Sequence, residues 1–269
     1  MKNNQKPISH YRRTYLNEQK KNSTIIWIFR ILIIILFIIS WELMARYNLI
    51  DDFMFSSPSR MIKTIKTLSE SGDLLKHIGT TLFETIVGFI LATVLGSSIA
   101  VFLWLSDKIR LIFEPYIVTL NALPKIALGP IIIIAFGAGI KSIIFMTVLV
   151  TIIVTTINML SGFLQTDKGK IFLLRSLGAS KLQILYRLII PNSIPTFIST
   201  LKVNVGLAWI GSIMGEYIVS KAGLGYLIVY GGQVLNLDIV MASTALLCVL
   251  AGLMYALVAL LEKLTTKWQ

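Results

Sequence analysis

The chain has 269 residues, of which 55% are hydrophobic and only 14% charged, with a formal net charge of +12. That hydropathy assigns the basic excess to membrane anchoring by Lys and Arg and sets nucleic acid aside as a partner. One cysteine, Cys248, excludes an internal disulfide, and His10 and His77 are too few and too far apart to suggest a metal site.

From the N-terminus, residues 1–23 are polar and read as a flexible cytoplasmic tail, and residues 24–269 as a single transmembrane domain. A span of about 20 apolar residues crosses a hydrocarbon core about 30 Å thick, and lipid offers the backbone no partner outside a helix. Six such spans are expected: Ile25 to Ala45, Gly79 to Leu105, Phe113 to Phe136, Ile140 to Gly162, Ser193 to Val219 and Ile239 to Leu261. The first has a basic lead, as a secretory signal does. Trp41, Glu42, Leu43 and Met44 offer no small-residue cleavage site, so an uncleaved anchor is expected. Cys248, in the last span, is expected to serve helix packing.

Between the first two spans, Ser57 and Pro58 read as the cap and first position of a helix. Met61, Ile62, Ile65 and Leu68 then form one apolar stripe, predicting an amphipathic helix. Lys and Arg cluster before the first span, after the second, between the fourth and fifth, and after the last. With six spans all four clusters fall on one side, which predicts cytoplasmic N- and C-termini. Arg46, Arg60, Lys63, Lys66 and Lys76 would then lie outside, partly offset by Asp51, Asp52, Glu70 and Asp73.

The polar module between the fourth and fifth spans carries the clearest functional signal. It occupies residues 163–191, with its basic stretch from Asp167 to Arg187. Gly178 suits a left-handed cap ending a first short helix. Ser180 and Gln183 match a capping box for a second, which carries Leu182, Leu185, Leu188 and Ile189 at helical spacing.

This module resembles the cytoplasmic signature of permease subunits of bacterial ABC importers: a Glu-Ala-Ala triplet, three residues, Gly, nine residues, then Ile-x-Leu-Pro. Here the triplet position is Phe172-Leu173-Leu174, the glycine is Gly178 and the ending is Leu188-Ile189-Ile190-Pro191. The spacing matches throughout; the triplet's chemistry departs from the pattern. WELMARYNLI near Trp41, SPSR at Ser57, LNALPKIALGP from Leu120 with FGAG after it, and GEYIVSKAGLGYLI from Gly215 are similar to the nitrate, sulfonate and taurine branch, which includes carriers of thiamine precursors.

The resemblance implies an all-α, polytopic bundle of about six transmembrane helices, of the type I ABC importer permease kind, in the bacterial cell membrane. It implies a pathway lined by two permease subunits, a homodimer here, driven by two ATP-binding subunits and supplied by an extracytoplasmic substrate-binding protein. ATP and Mg would reside on the partner ATPase. This chain has no Gly-x-x-x-x-Gly-Lys-Ser/Thr loop, Gly137 to Ser142 having the wrong spacing, and is not expected to be an enzyme. The coupling contact would comprise Asp167, Phe172, Leu173, Leu174, Gly178, Ala179, Ser180 and Pro191, with Phe172 standing where the family has a carboxylate.

Ionisable and small residues within the spans give candidate pathway positions: Asn121, Lys125, Gly211, Gly215 and Glu216. Lys125 follows Pro124, which removes a backbone donor and opens the helix; pathway lining and structural pairing stay open for it. Snorkelling to the interface is expected for Lys202 and Arg30. Gly88, Ala92 and Gly96 form a face for close helix approach, while Gly206, Ala208, Gly211 and Gly215 fit either a helix contact or a narrow pore. The expected solute is a small anion such as a sulfonate, taurine or nitrate. A thiamine-precursor pyrimidine, or a non-transporting membrane scaffold, is the alternative. A secondary transporter would need inverted repeats or more buried acids and bases, and a membrane enzyme a nucleophile, acid–base pair or metal cluster.

Overall fold

A computed structural model of the chain describes residues 10–265, and among these all regular structure is helical. Residues up to Lys63 form one compact unit and residues from Thr64 onward a second.

In the first unit, helix α1 (His10–Arg46) runs unbroken for 37 residues, and its segment Thr24–Arg46 is long and apolar enough to cross a membrane. The expected flexible tail is helical from His10. No Gly or Pro lies between His10 and Arg46, so nothing ends the helix where the apolar run begins. Arg30 lies over the Trp27 ring at 5.3 Å, a cation–π contact. Helix α2 (Pro58–Glu70) begins as expected, the Ser57 hydroxyl accepting from the Arg60 N–H at 3.4 Å. The Glu42 carboxylate also accepts from the Ser59 N–H and hydroxyl, at 3.0 and 2.8 Å, which fixes the start of α2 against the end of α1. The apolar stripe of α2 is narrower than expected: Met61 is buried while Ile62 stays exposed.

The second unit contains α3 (Asp73–Leu105), α4 (Asp107–Ala122), α5 (Gly129–Phe136), α6 (Ile140–Leu164), α7 (Lys168–Ser176), α8 (Lys181–Ile184), α9 (Ile194–Val219), α10 (Leu224–Gln233) and α11 (Leu237–Thr265). Among the described residues of the whole chain, five helices are long and apolar enough to span, and six if one bent pair is counted as a span. That pair occupies the third span expected from Phe113 to Phe136, where Pro124 was expected to open the helix. α4 ends at Ala122, a 3-10 turn covers Lys125–Leu128, and α5 leaves at 86°. Pro124 forces Leu123 into an extended conformation (φ −65°, ψ 133°) and cannot donate to the preceding turn.

Helices α3, α6 and α9 form the centre. Their contacts run through small residues: a Cβ on Gly88 would stand 2.4 Å from Thr147 Cγ2, one on Gly96 2.7 Å from Thr155 Cβ, and one on Gly211 2.6 Å from Thr147 Cα. Close backbone approach gives dispersion contact, the main source of helix association where lipid is as apolar as the side chains. A buried polar chain adds register. Asn204 on α9 donates to Thr93 on α3 at 3.1 Å and lies 3.1 Å from the Thr155 hydroxyl of α6. At one end of this centre, Ala100, Leu103, Met159, Leu160 and Phe163 pack with Ile184, Leu185 and Ile189. A second cluster joins Val205 and Trp209 of α9 with Leu224 and Leu227 of α10 and Leu247 and Val258 of α11. Cys248 is exposed on α11 rather than packed, because its neighbours Leu247 and Leu246 take the inward positions.

Candidate functional site

The basic module folds as an elbow between α6 and α9. Asp167 caps α7, its carboxylate accepting from the Gly169 N–H at 2.7 Å. α7 ends at Gly178, whose φ of 82° is the left-handed conformation expected of it. The Ala179 N–H then reaches back to the Leu174 carbonyl at 3.0 Å, closing the turn. Ser180 and Gln183 form the complete capping box: the Gln183 N–H donates to the Ser180 hydroxyl at 3.3 Å and the Ser180 N–H to the Gln183 side chain at 2.8 Å. The chain then widens into a π turn over Leu185–Ile189, just before Pro191, which lacks the N–H that a regular helix would need there.

Burial divides the elbow into an anchor and a face. Ile184, Leu185 and Ile189 are almost fully buried, and Ile171, Leu174, Ala179 and Leu188 pack around them. Phe172, Leu173 and Leu177 point outward; Phe172 is 72% exposed and Leu177 74%. Two polar ties hold the elbow to the bundle: Lys181 Nζ donates to the Leu105 carbonyl at the end of α3 (3.2 Å), and Asn192 to the Thr166 hydroxyl (3.2 Å). Beside α7 lies a cleft of about 450 Å³, walled by Trp104, Phe163, Ile171 and Phe172 and ringed by Lys168, Arg175, Lys181 and Asp107. Thus Phe172, Leu173 and the turn at Gly178 share one exposed edge, whereas Leu174 faces the core and Asp167 is occupied as a cap. An apolar edge with a basic surround, fixed to rigid helices, can transmit force from an attached protein.

The fold matches known transport proteins. A family model described as "binding-protein-dependent transport system inner membrane component" matches residues 92–267. The chain belongs to this family of permeases. The formylaminopyrimidine transport permease protein ThiX of Halalkalibacterium halodurans is 32% identical over 72% of this chain and 77% of that protein. The taurine transport system permease protein TauC of Escherichia coli is 25% identical over 85% of each chain. In three dimensions the permease is similar to a chain of the MetNI methionine ABC transporter in an inward-facing conformation, with TM-score 0.65 and 18% identity over 72% of this chain and 97% of that one. The permease is therefore an all-α ABC importer subunit of the type I fold, located in a membrane.

The remaining candidates separate. Lys125 Nζ donates to the Asn121 carbonyl at 3.1 Å, so this pair closes the broken end of α4. Gly211 and Gly215 lie against α6, a Cβ on Gly215 meeting Ile143 at 3.0 Å, which is a close helix approach. Lys202 does not snorkel freely but pairs with Glu262 of α11, the nearer carboxylate offsetting its charge. Glu216 is 1% exposed, and its Oε2 accepts from the Gly225 and Tyr226 N–H groups at 2.6 and 3.3 Å.

Sequence reasoning missed His77, Thr81, Glu84 and Asn204 as a group. Glu84 sits amid the apolar run of α3 and had the signal of any ionisable residue inside a span. His77 Nδ1 accepts from the Gly223 N–H at 2.9 Å and Thr81 from the Leu224 N–H at 2.8 Å, contacts between parts of the chain far apart in sequence. Gly223, with φ 118°, could carry no side chain, because its Cβ would stand 2.3 Å from Glu216 Oε2.

Proposed function

We propose that this permease forms half of the translocation pathway of a binding-protein-dependent ABC importer, with its α7–α8 elbow docked on an ATP-binding subunit. The carrying observation is the exposed Phe172, Leu173 and Leu177 edge on an elbow whose other face is locked into the bundle. An apolar aromatic anchor at the centre of a patch is a usual hot spot. It replaces a charge-assisted contact with burial, and the ring of Lys168, Arg175 and Lys181 suits an acidic rim on the partner. Asp167, Leu174, Ala179, Ser180 and Pro191 shape the elbow; Phe172, Leu173 and Gly178 make the contact.

The assembly consists of two copies of the permease, two ATPase subunits carrying ATP and Mg, and an external binding protein that delivers substrate. Both termini and the elbow face the cytoplasm of a bacterial cell, in keeping with the distribution of Lys and Arg. Asn121 and Lys125, at the bend between α4 and α5, are the pathway positions kept, because irregular backbone at membrane depth belongs beside a cavity or within protein. The solute is a small polar molecule of the thiamine-precursor pyrimidine type, a reading supported by the identity to the formylaminopyrimidine permease. A sulfonate such as taurine is the second reading, supported by the taurine permease matching 85% of the chain.

Reconstitution with an ATPase subunit and a binding protein from the same cell tests both levels. Uptake of labelled formylaminopyrimidine that depends on ATP and on the binding protein is the expected result, with taurine as the competing substrate. A permease that co-purifies with no ATPase subunit overturns the importer reading.

A further inference from the structure

The turn between α9 and α10 is held by side chains from two helices. α3 places His77, Thr81 and Glu84 on one face, four and three residues apart, and α9 places Glu216 opposite them. The first N–H groups of α10 each find an acceptor: Gly223 in His77 Nδ1, Leu224 in the Thr81 hydroxyl, and Gly225 and Tyr226 in Glu216 Oε2. One carboxylate oxygen of Glu216 is thereby satisfied. Its Oε1 and both oxygens of Glu84 are buried with no donor, Glu84 being 0% exposed and Glu216 1%. Thr81 and Glu216 hold the adjacent N–H groups of Leu224 and Gly225, so Glu84, three residues on from Thr81 along α3, is buried on the same side of this turn as Glu216.

An ionised carboxylate only accepts hydrogen bonds, so two ionised groups here would leave three oxygens without donors and two like charges in a dry site. Neither is paired with a lysine or arginine among the described residues; the ion pairs formed there by Lys66, Arg110 and Lys202 lie elsewhere. A proton on one carboxyl removes one charge and supplies an O–H donor, which leaves one carbonyl oxygen in place of three unsatisfied oxygens. The other charge is favoured on Glu216, which accepts two backbone N–H groups at the N-terminus of the ten-residue helix α10.

We propose that Glu84 and Glu216 form a proton-binding site in which Glu84 carries the proton and donates it to Glu216 Oε1. The proton latches α10 to α3 and α9. The other titratable groups around the site are few. His77 on α3 is neutral at Nδ1, where it accepts from Gly223, and stacks on Tyr226 of α10 at 5.8 Å. Tyr217 follows Glu216 on α9, Asp73 and Lys76 sit at the start of α3, and the exposed Lys221 in the α9–α10 turn and Lys141 at the start of α6 are the remaining cations on these elements. The α5 sequence Gly129–Phe136 and the α6 positions Ser142, Ile143, Met146 and Thr147 contribute no charge, and Asp238 at the start of α11 has its own partner.

The test uses the assembled transporter in lipid nanodiscs, with wild type, Glu84→Gln and Glu216→Gln. Infrared difference spectra are expected to show the carbonyl stretch of a protonated carboxylic acid in wild type and Glu216→Gln and its loss in Glu84→Gln. The folded complex holds a proton that the unfolded chain releases, so the wild-type melting temperature should fall as pH rises from mildly acidic to mildly alkaline. Glu84→Gln should flatten that fall, because it replaces the titrating acid by a permanent donor, whereas Glu216→Gln, which keeps the protonated acid, should retain it. A wild-type spectrum without an acid band attributable to Glu84 overturns the proposal whether or not the variants assemble. So does an undiminished pH slope in Glu84→Gln. Melting that rises with sodium or potassium in wild type, and not in Glu84→Gln, would replace the proton by a bound monovalent cation.

Discussion

Asn204 is fully buried and spans three helices, bonding to Thr93 and meeting Thr155 at 3.1 Å in both cases. Replacing it with Ala would remove the donor to the buried Thr93 hydroxyl and the acceptor beside Thr155, which keeps its bond to the Thr151 carbonyl at 2.9 Å. Asn204→Ala should therefore lower stability by about 1–3 kcal/mol, read as a lower melting temperature of the purified complex. Neighbouring glycines on α9 give a sharper contrast. A Cβ on Gly211 meets the Thr147 backbone at 2.6 Å, whereas one on Gly206 meets nothing within 4 Å. Gly211→Ala must push α6 and α9 apart and should cost about 1–3 kcal/mol, while Gly206→Ala should be neutral or slightly stabilising. Both glycines were visible in one small-residue pattern. Their different roles were not, since spacing gives the face of a helix and not the neighbour across from it.

At the scale of the elbow, the anchor and the exposed edge predict opposite phenotypes. Ile184→Ala removes a side chain 1% exposed from the core cluster and should destabilise the permease itself by about 2–5 kcal/mol. Phe172→Ala trims a side chain 72% exposed and should leave the melting temperature of the isolated permease unchanged. Its effect belongs to the complex: a loss of about 2 kcal/mol or more in affinity for the ATPase subunit, measured by titration of one into the other. The elbow was legible in advance because its signals are local. Gly178 and the Ser180 capping box each act within a few residues, and both appear as expected. The bend between α4 and α5 was only half legible: Pro124 marked where a helix opens, but the 86° turn depends on Gly129 fitting against Ile218, whose Cδ1 would lie 2.5 Å from an added Cβ.

Over the whole molecule, the distribution of Lys and Arg makes sidedness testable. With Cys248→Ser as background, a cysteine introduced by Leu177→Cys at the 74%-exposed tip should react with an impermeant thiol reagent in inside-out vesicles and resist it in right-side-out ones. By itself the sequence determined that the chain is helical and membrane-spanning, and that its basic module carries the permease spacing. Those properties follow from the solvent and from short-range backbone chemistry, which run lengths, caps and prolines report directly. The helicity of α1 over residues 10–23 and the width of the α2 stripe escaped it, since a polar segment without a breaker looks alike as tail or helix. Only the tertiary structure decided that Glu84 and Glu216 are both buried at the α9–α10 turn, that Lys202 pairs with Glu262, and that Gly211 faces α6. Those pairings join side chains remote along the chain, and the energy that fixes them exists only once three helices have packed closely enough to exclude lipid and water.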